Sequence, residues 1–269
     1  MISFPNCKIN LGLNITEKRT DSFHNIESVF YPINLCDILE IVVSSDKFVY
    51  SESGIAIPGN SENNLCVKAY KLLLADFDLA PIKLHLHKNI PFGAGLGGGS
   101  ADAAFTIKSL NKLFSLNLSS QQMQGYAARL GSDCAFFIEN KPIFAKGKGE
   151  IFEEIDFSLK GYFIGIIKSS VNVSTQEAYQ NVIPIKQPNS IKDNILKPIN
   201  DWKNLIENDF EKSVFLKFPE LMEIKNKLYS LGAIYASMSG SGSSVFGIFE
   251  TKIDLKPQFQ NCFVWGSEL

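Results

Sequence analysis

The chain has 269 residues, 45% of them hydrophobic and 20% charged, with a formal net charge of -2, so it can bury a substantial core and is not of the disordered class. A mean hydropathy of +0.03 and a pI near 6.0, with Lys and Arg scattered rather than striped, give no footprint for nucleic acid or an anionic membrane and favour a small-molecule partner. Five cysteines, Cys7, Cys36, Cys66, Cys134 and Cys262, odd in number and never in a C-x-x-C pair, argue against a disulfide framework or zinc site; with no signal-peptide pattern at the start and no apolar run approaching a membrane span, they point to a cytoplasmic protein.

In chain order, the first element is a strand over 7–13, where Ile9, Leu11 and Leu13 alternate against Lys8, Asn10 and Gly12, a pattern that buries one face. Residues 38–43, apolar except for Glu40, read as a strand. Leu65, Ala69, Leu72 and Leu73 fall at helical spacing after Asn63-Asn64, a helix cap. A strand over 82–87 puts Ile82, Leu84 and Leu86 on one face. Then comes a glycine-packed loop, Pro91-Phe92-Gly93-Ala94-Gly95-Leu96-Gly97-Gly98-Gly99-Ser100-Ala101, running into a helix near Ser100 whose stripe is Ala103, Ile107, Leu110 and Phe114. Ser119-Ser120-Gln121-Gln122 reads as a capping box for a helix closing at Gly131, with Asp133 just beyond it. Glycine and charge over 146–150 precede an apolar strand at 162–167, and the boundary between two domains, 1–153 and 154–269, is placed there. Ser174-Thr175-Gln176-Glu177 caps a further helix, 183–198 reads as a long connection, and helices follow near 202–215 and 219–231, the second stopped by Gly232. Strands at 234–237, 244–249 and 261–265 finish the chain, with Met238-Ser239-Gly240-Ser241-Gly242-Ser243 turning between the first two.

The glycine loop carries the chemistry. Its backbone N–H groups are uncovered by side chains, and the helix behind it adds unpaired N–H groups and the positive end of a dipole, so phosphate is its natural ligand. Gly93-x-Gly95-x-x-Gly98 formally matches the dinucleotide fingerprint, but that fold needs an acid about 20 positions on and 113–125 contains neither Asp nor Glu. No Gly-Lys-Ser/Thr follows, which removes a Walker loop. What remains is a phosphate cradle of a third kind, in which Ser100 can offer a hydroxyl to phosphate or Mg²⁺. A kinase further needs a group to activate the acceptor hydroxyl and cations to offset charge. Lys8 and Asp133 are the candidates, although each alone also reads as a solvated strand lysine or a helix cap. A nucleotide-binding protein without turnover is the alternative of a different class.

Taken together, Pro5-Asn6-Cys7-Lys8-Ile9-Asn10-Leu11, the loop 91–101 and Ser239-Gly240-Ser241-Gly242-Ser243-Ser244 resemble the three motifs of the GHMP small-molecule kinases, in order and over nearly the whole chain. Lys8 to Leu11, Asp21-Ser22-Phe23-His24-Asn25, the triple glycine and Gly131-Ser132-Asp133 are most similar to the members that act on a cytidine-diphospho polyol. The resemblance implies an α+β, two-domain GHMP kinase fold with its active site in the interdomain cleft. It implies ATP-dependent phosphorylation, with Mg²⁺, of the 2-hydroxyl of 4-diphosphocytidyl-2-C-methyl-D-erythritol, a step of non-mevalonate isoprenoid precursor synthesis, by a monomer or weak homodimer. Other GHMP kinase acceptors are the nearest alternative. By position, the resemblance makes Asp133 the general base and Lys8 its cationic partner. It places Asn10 near the acceptor, Phe23, His24, Thr175 and Tyr179 at the substrate, and Asn64 and Lys88 with the loop at the ATP. The sequence departs from the family at Phe23, usually tyrosine, at Ala135, often proline, and at Ser169-Ser170, commonly Pro-Gly.

Overall fold

The computed structural model describes residues 1–180, 182–185 and 188–269. It opens on a short strand β1 (Ile2–Ser3) and two long strands, β2 (Asn6–Lys18) and β3 (His24–Cys36), followed by β4 (Ile38–Val43), β5 (Val49–Gly54), α1 (Leu65–Leu74), β6 (Ile82–Lys88) and α2 (Gly98–Leu113). Next come α3 (Ser120–Ala128), α4 (Phe136–Glu139), β7 (Ile143–Lys146), β8 (Ile151–Glu154) and β9 (Phe163–Lys168). The chain closes with α5 (Thr175–Tyr179), α6 (Ile191–Asn194), α7 (Trp202–Leu205), α8 (Phe210–Lys217), α9 (Pro219–Ser230), β10 (Tyr235–Met238), β11 (Val245–Phe249) and β12 (Phe263–Glu268). Among the described residues no helix is long and apolar enough to cross a membrane.

Local chemistry accounts for the element ends. Asn64 caps α1 through Oδ1, which accepts the N–H of Cys66, and Ser119 with Gln122 forms a reciprocal capping box on α3. That helix stops at Ala128, short of Gly131, so Asp133 lies in a turn between α3 and α4. The single helix expected near 202–215 is two, because Ile206 is extended (φ -126, ψ 107) and Leu13 pairs with the next segment through an N–H to the Glu207 carbonyl and a bridge to Asn208. Within the connection expected over 183–198, Ser190 caps the short helix α6; Lys186 and Gln187 of that stretch lie outside the described residues. Strand β2 is buried on both faces from Asn6 to Ile15, where its alternation predicts one exposed face.

Two compact units divide the chain. One holds residues 1–7, 35–92 and 97–141, built on a sheet of order β1-β4-β6-β5. Here β4 runs antiparallel to β6 with Ile41 opposite Leu84, and β5 runs parallel to β6. Leu39, Ile41, Ile82, Leu84 and Leu86 are buried from the sheet, with Val67, Leu73, Ile107 and Leu110 from α1 and α2; α1 packs on α2 and α2 on β4. Each such aliphatic side chain contributes about 1.5–3 kcal/mol on burial.

The other unit holds residues 8–34, 93–96 and 142–269, with sheets of order β2-β3-β7-β8 and β10-β11-β9-β12. Its core gathers Leu13 and Ile15 of β2, Ile26 of β3, Ile167 of β9, Phe210 and Val214 of α8, and Leu221 and Leu228 of α9. A cut at 153–154 falls inside β8, whose Glu154 pairs with Ile143. The glycine-rich 146–150 is a hairpin turn, with Gly147 and Gly149 at φ +69 and +99, not a linker, so compactness divides the chain elsewhere than that sequence boundary.

Candidate active site

The glycine loop passes from one unit to the other between Leu96 and Gly97. In its first half Ala94 and Leu96 are buried and anchor it, while Gly93 and Phe92 are exposed and Pro91 half-buried. The Ala94 carbonyl accepts the Ser244 N–H at 3.1 Å, the Leu96 carbonyl accepts the Lys8 N–H at 3.0 Å, and the Gly95 carbonyl accepts the Ser239 hydroxyl at 2.9 Å. Only glycine fits at 95: φ is +73, and a Cβ would stand 2.0 Å from the Ser239 carbonyl oxygen. In the second half, Gly97 (φ +70) begins α2 with no side-chain cap, and the first intrahelical bond runs from the Ala101 N–H to the Gly97 carbonyl. The N–H groups of Gly98, Gly99 and Ser100 precede it and have no partner inside the helix, the arrangement that receives an anion.

Beside the first half, Lys8 is 3% exposed. Its ammonium donates to Asn10 Oδ1 at 2.5 Å and stands 4.8 Å from the centroid of the Phe30 ring. The Asn10 N–H donates to Ser239 Oγ at 3.2 Å, so one serine hydroxyl joins β2 to the loop. That serine's turn is itself held by Asn208, 1% exposed, whose Nδ2 donates to the carbonyls of Met238 and Gly240, both at 2.8 Å, while Asp209 Oδ2 accepts the Ile15 N–H at 2.8 Å. Asn208 carries no sequence signal, because it falls inside the stretch that reads as one helix over 202–215.

The second half has a different support. Lys88 is 4% exposed, and its ammonium is paired with Asp37 and, at 2.7 Å, with Asp102. Asp37 Oδ1 also accepts the N–H groups of Asn89 and Ile90, at 2.7 and 2.8 Å. A Cβ on Gly98 would lie 3.4 Å from the Lys88 ammonium and 2.8 Å from Ile90 Cγ2. Lys88, expected at the nucleotide, therefore has its charge engaged by two carboxylates in the core of its unit. Burial acts against the Lys88 charge, but Asp102 and Asp37 outweigh it and raise its pKa. Burial, with Asp37 adding to it and Lys88 opposing, raises that of Asp102. Asp102 Oδ1 accepts no hydrogen bond among the described residues.

Asn64 likewise has its amide occupied, by the α1 cap and by Nδ2 donating to the Tyr50 hydroxyl at 2.8 Å. Asp133 is half-buried in the turn before α4. Ala135, next but one, is helical at φ -62, a φ that proline shares, so its lack of a ring leaves the local conformation unchanged. The Cys134 thiol is pushed up to about 11 by burial, with the Ser100 hydroxyl beside it acting in the opposite sense.

The substrate candidates form a second group within the unit containing β2. His24 stacks on Tyr179, with centroids 4.8 Å apart and planes at 16°, and Phe210 packs edge-on to Tyr179 at 4.7 Å. Burial, then Lys18, lowers the His24 pKa, which leaves a neutral imidazole with one donor and one acceptor at neutral pH. Phe23 is 58% exposed, with the Lys148 ammonium 4.9 Å from its centroid. Thr175 Oγ1 lies 3.3 Å from Ser241 Oγ. Where Ser169-Ser170 replaces Pro-Gly, the ammonium of buried Lys168 donates to the carbonyls of Ser169 and Val171, at 2.8 and 2.6 Å, and Ser243 Oγ also donates to Val171. Side-chain hydrogen bonds thus hold the segment that a proline would stiffen.

With this geometry in hand, comparison with known proteins is specific. The family model for the GHMP kinases N terminal domain matches residues 64–141, and that for the GHMP kinases C terminal matches 191–258. A protein of Bacteroides fragilis named 4-diphosphocytidyl-2-C-methyl-D-erythritol kinase is 56% identical over 274 residues, covering 100% of both chains. One of Bacteroides thetaiotaomicron with the same name is 59% identical over 253 residues, covering 93% of this chain and 92% of its own. A crystal structure of 4-(cytidine 5'-diphospho)-2C-methyl-D-erythritol kinase superposes with a TM-score of 0.78 at 28% identity, covering 92% of this chain and 90% of that one. Matched by the family's N-terminal and C-terminal models and by a full-length relative at 56% identity, the chain belongs to the GHMP kinases.

Proposed function

We propose that the protein phosphorylates the 2-hydroxyl of 4-diphosphocytidyl-2-C-methyl-D-erythritol with ATP, a step of the non-mevalonate route to isoprenoid precursors. The observation that carries this is identity of 56% along the full length of a kinase bearing that substrate's name. The neutral His24 stacked on Tyr179 supports it, since a pyrimidine needs a flat apolar surface and a paired donor and acceptor.

In this reading Asp133 takes the proton of the acceptor hydroxyl and Lys8 offsets the negative charge growing on that oxygen; proton transfer of this kind supplies about 10²–10⁴-fold. The N–H groups of Gly98, Gly99 and Ser100 hold the phosphates, and Asn10 keeps the Lys8 ammonium aimed. Phe23, His24, Thr175 and Tyr179 hold the cytidine end. Asn64 and Lys88 serve the nucleotide by shaping α1 and the base of the loop. A Mg²⁺ carried mainly by the phosphate oxygens, to which the Ser100 hydroxyl could also bind, would supply charge neutralisation.

The test is ADP release with the cytidine-diphospho polyol, homoserine, mevalonate and galactose. Turnover with the first alone is expected; turnover confined to one of the others would overturn the substrate. Asp133→Asn is expected to lower kcat by about 10²–10⁴-fold, and full activity in that variant would remove the proposed base.

A further inference from the structure

Ser28, on β3, has no exposed surface and lies outside every sequence motif. Its hydroxyl donates to the Gly12 carbonyl at 2.6 Å and accepts the Asn10 Nδ2–H at 2.8 Å. Asn10 Oδ1 then accepts the Lys8 ammonium at 2.5 Å. The ends of this chain fix its direction: a carbonyl can only accept and an ammonium can only donate. The hydroxyl has its one proton on Gly12, so what it offers Asn10 is a lone pair, and that in turn requires the amide nitrogen to face Ser28 and the oxygen to face Lys8. A flipped Asn10 amide would set NH₂ against the ammonium and oxygen against oxygen. Two positions along β3, on the same face, Phe30 supplies the ring beneath the ammonium. Lys8, Asn10, Ser28 and Phe30 are each at most 3% exposed, so water does not readily substitute for a missing partner.

We propose that Ser28 is a positioning residue for phosphoryl transfer: by locking the Asn10 amide in one orientation it sets where the Lys8 ammonium points. The proposal rests on the reading of Lys8 as the cation that offsets charge on the acceptor oxygen. Ser28→Ala removes the lock and leaves Asn10 and Lys8 in place, whereas Ser28→Thr keeps the hydroxyl.

The experiment measures steady-state kinetics of the full chain and its Ser28→Ala and Ser28→Thr variants. It also measures single-turnover transfer to radiolabelled product in Lys8→Met with and without Ser28→Ala. Ser28→Ala is expected to lower kcat about tenfold, the scale of a modest misplacement at a reacting centre, with both KM values within about twofold, and Ser28→Thr to restore it. In the Lys8→Met background Ser28→Ala adds no further loss, because the two act as one unit. An equal loss in both backgrounds, or none in either, overturns the proposal. Independent of turnover, hydrogen exchange of the Asn10 side-chain NH₂ followed by NMR is expected to quicken at least about tenfold in Ser28→Ala as its buried acceptor is lost, and unchanged exchange also overturns it. Were the wild type to turn over none of the acceptors, the functional reading would fail while the exchange measurement still decided whether Ser28 holds Asn10.

Discussion

The two halves of the glycine loop are held by different physics. Residues 93–96 are held by neutral groups: three loop carbonyls take N–H or O–H donors from Ser244, Ser239 and Lys8, and the Asn208 amide fixes the turn that presents Ser239. Residues 97–101 begin a helix over buried charge, one ammonium between two carboxylates. A neutral hold is directional and steric and ignores pH. A charged hold inside a protein carries a desolvation cost and titrates, and its Coulomb gain offsets that cost only when every charge is balanced. Changes of shape should therefore break the first half, and changes of charge or local bulk should tune the second.

The largest effect is expected from Gly95→Ala. Its Cβ would collide with a backbone carbonyl at 2.0 Å while the residue is held at φ +73, a left-handed conformation costing about 1–2 kcal/mol, with a further ~1–3 from overpacking. Thermal unfolding should show a loss of about 4 kcal/mol, with turnover falling alongside. Wild-type stability and turnover would mean that the first half is not sterically fixed. Asn208→Leu comes next: it strips the Met238 and Gly240 carbonyls of a buried donor, for a loss of about 3 kcal/mol. A loss below ~1 kcal/mol would show that the serine-glycine turn holds itself, since a single lost hydrogen bond already approaches that figure.

In the second half, Gly98→Val adds bulk where a Cβ meets the Ile90 side chain, Cγ2 at 2.8 Å and Cβ at 3.2 Å, rather than backbone. The fold should survive. The branched side chain crowds the N–H groups proposed to receive phosphate, and the KM for ATP is expected to rise about tenfold, equivalent to ~1.4 kcal/mol. An unchanged ATP affinity in the folded variant would remove Gly98 from the cradle.

This contrast also marks what could be read from the chain alone. The loop, the strand before it, the helix after it, the capping box of α3 and the Ser174 cap of α5 follow from periodicity and turn chemistry, which are local, and the strands at 82–87 and 38–43 emerge where expected. Strand β3 has no clean alternation, because its residues from Ile26 to Leu35 are buried on most sides, and β5 is polar and exposed, so neither shows a period. Lys8, Asn10 and Ser239 were legible through their motifs. Their supports, Ser28 and Asn208, and the two carboxylates that pair with Lys88, Asp37 and Asp102, were not, because a buried hydrogen-bonding or ion-pairing partner is defined by a contact many positions away. Lys88 shows the limit of reading by position: its place beside the loop is clear from sequence, but whether its charge faces ligand or core depends on two distant aspartates.

The smallest expected effect is the one that separates the two holds most cleanly. Burial raises the pKa of Asp102 in the folded state, so over some pH interval the native protein keeps a proton that the unfolded chain has shed. On this group's account stability must then fall as pH rises from the ordinary carboxylate range through the raised pKa. Asp102→Asn retains an oxygen for Lys88, leaves Asp37 as the counter-charge and abolishes that slope. Denaturant midpoints across a pH series should coincide for the two proteins at the acid end and favour Asp102→Asn by about 1 kcal/mol at the alkaline end. Identical slopes would mean that Asp102 titrates alike folded and unfolded. A variant less stable at high pH would show instead that the ionised carboxylate is what keeps Lys88 under the helix, making the charged hold a net stabiliser despite its burial.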